Sequence, residues 1–278
     1  MDSKLGVTPL HPKRLANIAR FELVRLFLTK RGLLAVVAFA ICWFLILRYP
    51  VGQAVSLLDS RNVADFVESI FGAAGLSQLL TWPEAELAVY WLIALYSFPC
   101  FCVFLCSDQT VGDKQRGTLR FLTLRATRAE IIFGRFLGQV LILAVLLLLT
   151  LFATLAMLSY RDPTLFASAL SRISLLFAYL VFTVMPFIAL MSFLNTFASS
   201  ARLAIVFAIL FFAGGNIILG LLSWQIPALD SLSVIFPGYQ LDQMAGQNAG
   251  MLLSIGFPLV QTLVLLILAE RVFARSSI

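Results

Sequence analysis

The sequence predicts an all-α integral membrane protein with six transmembrane helices. Of its 278 residues, 61% are hydrophobic and only 12% are charged, a composition far from that of soluble globular proteins. Long apolar runs alternate with polar segments, and runs of this length are typical of membrane-spanning helices. The Lys and Arg residues flank these runs instead of clustering on one domain, so the net charge of +6 does not indicate a nucleic-acid partner.

Residues 1–31 are predicted to form a cytoplasmic tail followed by an amphipathic helix. Basic and apolar residues recur at helical spacing after Pro12, and proline suits the first turn of a helix. Because seven Lys and Arg residues precede residue 32, we expect this helix to lie on the cytoplasmic leaflet; a solvated N-terminal helix is the alternative. No small-residue cleavage site follows the first apolar run, so a cleavable signal peptide is not expected.

Residues 32–278 are predicted to form the transmembrane domain, with spans at 32–47, 87–106, 136–158, 173–194, 203–222 and 251–269. The first span is short for a hydrocarbon core about 30 Å thick, so the basic residues at its ends are expected to reach the interface. In the outer loop 50–86, apolar residues from Val63 to Ala74 follow the helical period and predict a further amphipathic helix. Pro99 lies within the second span and is expected to kink it.

The distribution of charge predicts that both termini lie in the cytoplasm. When the N-terminus, the loop 107–135, the loop 195–202 and the C-terminus are assigned to one side, that side holds sixteen of the twenty Lys and Arg residues. The other side keeps four of them, with eight acids. Cytoplasmic loops carry an excess of Lys and Arg, which favours this orientation.

The absence of certain motifs and residue types from the sequence argues against several classes of function. No GxxxxGK[ST] motif occurs, so the chain has no P-loop for a nucleotide. A single histidine, His11, is incompatible with HExxH zinc sites and His-based triads, and we predict that the chain is not an enzyme and has no cofactor. The six predicted spans contain no Asp, Glu, Lys, Arg or His, which argues against a proton-coupled or cation-coupled carrier. Such a bundle needs an external source of energy.

The loop 107–135 is the predicted site at which that energy is received. It holds six of the twenty Lys and Arg residues, and a loop that contacts a soluble partner needs charge, a short helical patch and hinge residues. A generic basic loop beside the membrane is the alternative. The candidate contact residues are Asp108, Asp113, Lys114, Arg116, Gly117, Thr118, Leu119, Phe121, Leu122 and Arg128.

Three cysteines of the second span could bind a soft metal only under a special condition. Cys102 and Cys106 share one face of a straight helix, but Cys100 lies about 200° from Cys102 at 3.6 residues per turn. The three thiols converge only if the helix unwinds at Pro99 or a second subunit contributes a ligand. We therefore predict no metal, and packing as small residues between helices is the favoured interpretation.

The fifth span carries a cluster of small and polar residues: Gly214, Gly215, Asn216 and Gly220. Small residues allow helix backbones to approach closely, and an Asn within the membrane usually forms a hydrogen bond across a helix–helix interface. This face is predicted to form a contact between two copies of the chain or to line a pathway between them; packing within one chain is the alternative.

Two stretches resemble the ABC-2 type permeases, which are the membrane subunits of ATP-binding-cassette exporters. They are IARFELVRLF around Glu22, and GDKQRGTLRFLTLRATRAEIIFGRFLG after the second span. Length, span count and motif placement resemble in particular the six-span NosY-like permeases, which accompany maturation of the copper enzyme nitrous oxide reductase. Two departures are visible: Arg125 or Ala126 stands where a proline is usual, and Arg135 replaces a common lysine.

The resemblance implies an elbow helix at the membrane surface, with Arg20, Glu22 and Arg25 as its charged residues, and a loop helix that couples to a separate ATPase subunit. It implies an exporter of the bacterial cytoplasmic (inner) membrane in which two permease chains form the pathway among membrane lipids, with spans one and five near the dimer axis. The apolar spans favour a hydrophobic or amphipathic cargo. The alternatives are a self-contained channel or secondary carrier, and an exporter of a copper or sulfur species for metalloenzyme maturation.

Overall fold

The computed structural model describes residues 11–55, 82–241, 244 and 252–275. The predicted amphipathic helix at 63–74 lies outside these residues. The α-helices are α1 Pro12–Leu28, α2 Lys30–Ile46, α3 Ala85–Leu105, α4 Val111–Gln115, α5 Leu119–Thr123, α6 Arg128–Arg161, α7 Phe166–Phe197, α8 Ala201–Ile209, α9 Gly215–Gln225 and α10 Phe257–Arg275. Short π-helical segments are Leu47–Val51, Leu210–Gly214 and Leu252–Gly256, and 3₁₀ segments are Cys106–Asp108, Pro163–Leu165 and Pro227–Ile235.

Six helical stretches are long and apolar enough to cross a membrane, which confirms the predicted all-α multi-pass architecture. They are Gly32–Val51, Ala85–Gln115, Arg128–Arg161, Pro163–Phe197, Ala201–Gln225 and Ser254–Arg275. Each corresponds to one predicted span, but the helices are longer than those spans. As a result Glu86, Glu130 and Arg135, which lie outside the predicted spans, belong to the first few turns of membrane helices. Charge therefore enters the bundle at its ends.

The fourth span, formed mainly by α7, is the centre of the bundle. It packs against α3, α6 and α10, and 56% of its most apolar window is buried. Leu180 and Met191 of α7 are fully buried. By contrast, only 11% of the corresponding window of the first span and 6% of that of the fifth are buried. These two helices stand at the edge of the bundle with most of their apolar surface uncovered.

α1 packs against the first turns of α6 at one end of the bundle, which is named the basal end; the opposite end is the distal end. Two glycines of α6 permit this approach, because Gly134 faces Ile18 and Gly138 faces Ala19 and Glu22. A Cβ atom at Gly138 would lie 2.8 Å from the Cβ of Glu22 and 3.1 Å from the Ala19 backbone. Glycines four residues apart share one helix face and let membrane helices pack closely. The predicted N-terminal helix is thus held by direct contact with the third span.

Ion pairs also connect helices at the distal end of the bundle. Arg161 donates to both carboxylate oxygens of Glu86, at 2.5 and 2.9 Å. Arg172 lies 3.3 Å from the buried Glu84, and its guanidinium carbon lies 4.2 Å from the centre of the Trp82 ring. These contacts connect the distal ends of the second, third and fourth spans.

The packing of α1 on α6 predicts the effect of a single methyl group. Gly138→Ala should destabilise the protein by about 1–3 kcal/mol, because the added methyl overlaps backbone atoms of α1. The matched control is Ala156→Ser, which also adds one atom to α6 but at an exposed position, and this change should alter stability by less than about 0.5 kcal/mol. Thermal unfolding in detergent measures both variants. Equal melting temperatures would contradict the close contact.

Candidate functional site at the basal end

Residues 106–127 form a loop built from short helices. A 3₁₀ turn leads into α4, and α5 follows after a reversal at Gly117. Gly117 has a φ of 69°, a left-handed conformation that glycine adopts without steric strain. The Thr118 hydroxyl donates to Asp113 Oδ1 at 2.9 Å and closes the reversal. The glycine that the sequence indicates as a break therefore fixes the direction of α5.

Lys114 anchors this loop to the C-terminal end of α7. Its Nζ donates to the carbonyl oxygens of Asn195 and Thr196, at 3.1 and 2.7 Å. The side-chain amide of Asn195 in turn donates to the Cys106 carbonyl at 2.8 Å. The last carbonyls of a helix lack partners within that helix, and the helix dipole favours a cation there. Lys114 therefore supplies hydrogen-bond donors to the terminal carbonyls of the fourth span.

Arg128 has the same role for the sixth span. Its Nη1 donates to the carbonyl oxygens of Phe273 and Ala274, at 2.6 and 2.7 Å. Arg128 is also the first residue of α6, whose start is closed by a reciprocal capping box between Thr127 and Glu130. The start of the third span is thereby joined to the end of the sixth.

Three carboxylates and two arginines meet where α1, the loop and α6 converge. Arg135, whose side chain is 3% exposed, pairs with Asp113 and lies 3.9 Å from Glu22. Arg25 pairs with Asp108 at 2.7 Å and lies 3.8 Å from Glu22. These five residues are named the basal ion cluster. Because a buried charge without a partner is strongly destabilising, the two arginines hold the three elements in one arrangement.

Glu22 is the least compensated acid of the basal ion cluster. Burial raises the pKa of its carboxyl group, while Arg135 and Arg25 act in the opposite direction, and the net change is upward. The Gln139 amide donates to its Oε2 at 3.4 Å, whereas its buried Oε1 accepts no hydrogen bond from the described residues. Glu22 is therefore held near Arg135 by packing more than by direct hydrogen bonds.

The ten loop residues predicted as partner contacts divide into two groups of five. Asp108, Asp113, Lys114, Leu119 and Arg128 are engaged within the chain. Asp108 pairs with Arg25 of α1, Asp113 with Arg135 of α6, Lys114 donates to α7 and Arg128 to α10, and Leu119 is buried. Leu119 is only 1% exposed, so its side chain is not available to a partner in this structure. Arg116, Gly117, Thr118, Phe121 and Leu122 are at least partly exposed.

An exposed apolar pair lies at the end of the loop. Phe121 is 70% exposed and Leu124 is 83% exposed, and the exposed residues Arg120 and Arg125 flank them. These four residues are named the basal tip. Among the described residues, no carboxylate pairs with its two arginines. Sequence reasoning missed Leu124, although its spacing of three residues from Phe121 places both on one helical face.

The predicted elbow residues have different environments. Glu22 and Arg25 belong to the basal ion cluster, whereas Arg20 is exposed. Sequence reasoning missed Glu130, which accepts a hydrogen bond from the His11 backbone at 3.1 Å and contacts Arg14 at 3.4 Å. The Thr127-x-x-Glu130 spacing of a capping box could have indicated it.

The cysteines of the second span do not converge. Cys102 and Cys106 are buried with their Sγ atoms 3.8 Å apart, as their predicted common face requires, and Cys106 also contacts Gln139 at 3.8 Å. Cys100 is exposed on another face. Within the described ranges, no group of three His, Cys, Asp or Glu side chains has the geometry of a metal site.

The small residues of the fifth span lie beside a lateral cavity. Gly215 packs against the Phe236 ring, whereas Cβ atoms at Gly214 and Gly220 would meet no atom within 4 Å. The exposed Asn216 donates to the Phe212 carbonyl at 2.8 Å. The cavity, named the lateral cavity, has a volume of about 760 Å³ and lies between α3, α7 and the fifth span. It is lined largely by apolar groups, including Tyr96, Cys100, Phe104, Phe187, Ala208, Phe212, Ala213, Asn216 and Tyr239.

The buried pairing of Arg135 with Asp113 predicts non-additive effects on stability. Arg135→Gln should destabilise the protein by about 3–5 kcal/mol, because the carboxylates of Asp113 and Glu22 lose their buried counter-charge. The double variant Arg135→Gln/Asp113→Asn should be less destabilised than the sum of the two single variants, since both partners are removed together. Unfolding in detergent gives the three values, with the exposed Arg20→Gln as a control that changes stability by less than about 0.5 kcal/mol. Strict additivity would overturn the pairing.

Comparison with known proteins identifies the family. The model of the ABC-2 family transporter proteins matches residues 16–269 of the chain. The match includes all five residues of the basal ion cluster, the basal tip and most of the final span. No curated protein matches the chain. The chain therefore belongs to the ABC-2 family of transporter proteins and is a multi-pass membrane component of an ABC transporter.

Proposed function

We propose that the chain is the permease subunit of an exporter in the bacterial cytoplasmic membrane, that it works as a homodimer, and that a separate ATPase subunit drives it. The observation that carries this proposal is the basal tip, whose exposed apolar pair and two arginines stand on a base that contacts the helices of the bundle. Permeases of this family work with ABC ATPases in general, and the chain itself has no nucleotide-binding P-loop.

The base of the loop is suited to transmit movement from such a partner. The basal ion cluster joins the loop to α1 and α6. Lys114 joins it to the end of α7, and Arg128, just after the loop, reaches the end of α10. A displacement of the tip is thus carried to four helices, because each connection is a short polar contact in a packed environment.

The chemistry of the basal tip indicates what the partner offers. Phe121 and Leu124 need an apolar groove, since aromatic and aliphatic side chains that fill pockets dominate binding energy. Arg120 and Arg125 favour acidic groups at the rim of that groove, which steer association and fix the register. We therefore infer that the ATPase has an apolar groove with acidic borders.

The edge position of the first and fifth spans supports a dimer. Only 11% and 6% of their apolar windows are buried within the chain. The glycines at 214 and 220 leave open space on the fifth span, and such small residues permit a second helix to pack closely. A second copy of the chain would cover these surfaces, with membrane lipid around the remainder.

The lateral cavity supports a hydrophobic or amphipathic cargo. Its walls are mainly apolar, with polar groups such as those of Asn216 and Tyr239. A bare ion would lose most of its hydration energy there, whereas an amphiphile would not. Cys100 also lines this cavity, and that contact favours a second candidate, the export of a copper or sulfur species.

The docking proposal predicts that the basal tip is needed for ATPase binding. Phe121→Asp/Leu124→Asp should weaken association by at least about 2 kcal/mol, because apolar anchors are lost and charge enters an apolar groove. Both side chains are exposed, so the permease itself should fold. Native mass measurement of the co-purified complex is the readout. The wild type should give two permease chains with ATPase, and the variant a permease dimer alone.

A matched control uses the same substitution at the other end of the bundle. Phe166→Asp changes a half-exposed residue at the distal start of α7 and should leave ATPase association intact. Retention of ATPase by the basal-tip variant would overturn the docking site. A monomer in mild detergent and in native membranes would overturn the dimer. Transport by the purified chain without any ATPase would favour a self-contained channel or carrier.

The pathway proposal predicts that filling the lateral cavity blocks an amphiphile. Ala213→Trp should lower export of a fluorescent short-chain phospholipid analogue several-fold while ATPase association persists, because the indole occupies the cavity. Leu268→Trp, on a half-exposed position of α10 that does not line the cavity, is the control. The variant with Cys100, Cys102 and Cys106 all changed to Ala should export the analogue normally. If it keeps its ATPase but loses transport, the thiols carry the function instead.

A further inference from the structure

A second large cavity lies at the basal end and is distinct from the lateral cavity. It has a volume of about 720 Å³ and lies between α1, the first turns of α2, the end of α3 and α6. It is named the basal cavity. Its walls include Glu22, Arg25, Asp108 and Asp113 of the basal ion cluster, and they differ from those of the lateral cavity because they combine charged and apolar groups. The proposed cargo pathway runs elsewhere, along the lateral cavity.

The walls of the basal cavity change from charged to apolar along the membrane helices. On one wall α2 begins at Lys30 and continues to Ala35. On another wall the chain runs from Phe104, near the end of α3, to Asp108 and then Arg116 in the loop. On both walls the charged residues lie at the basal side and the apolar residues lie toward the middle of the bundle. This order matches an amphiphile whose polar head lies at the basal side.

The charges of the basal cavity leave two cations unpaired. Asp108 pairs with Arg25, and Asp113 pairs with Arg135. Glu22 lies within 4 Å of both of these arginines. Lys30 and Arg116 line the same cavity, and neither has an ion pair or a side-chain hydrogen bond among the described residues. Arg25 and Arg135 therefore lie beside the three acids, and Lys30 and Arg116 are the cations of the cavity wall without a partner among the described residues.

The mouth of the basal cavity has exposed apolar side chains. Phe21 is 58% exposed and Val24 is 42% exposed on α1, and Phe104 is 57% exposed on α3. Leu28, at 77% exposed, continues the stripe of Phe21 and Val24 along the same helix face. The apolar side of the cavity thus opens onto a surface suited to hydrocarbon chains.

We propose that the basal cavity binds an anionic phospholipid, with its phosphate between Lys30 and Arg116 and an acyl chain along Phe21, Val24 and Phe104. Basic pockets between membrane helices bind acidic headgroups, and each cation near a membrane surface contributes to such binding. A free phosphate would leave the apolar wall uncovered. A second copy of the chain would have to bring an acidic group to the two cations. The lipid satisfies both walls at once.

The test uses the full-length permease in nanodiscs made of equal parts of phosphatidylcholine and phosphatidylglycerol. After extraction, native mass spectrometry counts the lipids retained by each chain. The wild type should retain one phosphatidylglycerol more tightly than phosphatidylcholine. Lys30→Gln/Arg116→Gln should bind it at least about tenfold more weakly. Both side chains are exposed, so the change should not disturb folding.

Two further variants separate the lipid from other occupants. Lys13→Gln/Arg202→Gln removes the same charge from exposed basal positions outside the cavity and should retain the lipid. Ala35→Trp fills the apolar end and should also lose the lipid while leaving the cations in place. Glycerol 3-phosphate bound equally well by the wild type and by Ala35→Trp would indicate a free anion and overturn the proposal. Equal retention of the two lipids, equal loss in both Gln pairs, or a dimer without retained lipid would overturn it as well.

Discussion

The burial of Arg135 between Asp113 and Glu22 is the interaction on which the basal half of the molecule depends. A guanidinium that is 3% exposed requires carboxylates in contact, because an unpaired charge in that position is strongly unfavourable. One carboxylate, from the loop, pairs with Arg135 directly, and the other comes from α1, whose packing on α6 brings it within 3.9 Å of the guanidinium. The glycines at 134 and 138 make this possible, since they let α1 approach α6 closely enough for Glu22 to reach the arginine.

Two further cations, one in the loop and one just after it, bind the C-terminal ends of other helices. Lys114 and Arg128 place their charges on the terminal carbonyls of α7 and α10, where the helix dipole favours them. The same charged segment therefore serves two purposes. Its base satisfies the terminal carbonyls of two membrane spans, and Phe121 and Leu124 at its tip remain largely exposed. This arrangement supports the proposed docking of a separate ATPase subunit at the basal tip.

The six spans could be predicted from the sequence because long apolar runs have few alternatives in a membrane protein. The helix that begins at Pro12 could also be predicted, from its periodicity and its first-turn proline. The direction of each loop side chain could not be predicted. Lys114 and Arg116 are two residues apart and have similar chemistry, yet one contacts helix carbonyls and the other lies in a cavity wall. Likewise Leu119 is buried and Phe121 is exposed. Which face of a five-residue helix is covered depends on tertiary contacts that local patterns do not encode.

The position of α7 at the centre of the bundle has a consequence for biosynthesis. α7 packs against α3 and α6, which precede it in the sequence, and against α10, which follows it. These three helices have no common packing partner until the fourth span has entered the membrane. α1 is made first, but Glu22 meets its arginine only after two further spans have been inserted. During that interval the acid lacks the buried counter-charge that it has in the complete bundle. The bundle can therefore assemble only late in synthesis. A chain truncated before α7 would lack the helix against which α3 and α6 pack, and their apolar faces would remain exposed to lipid.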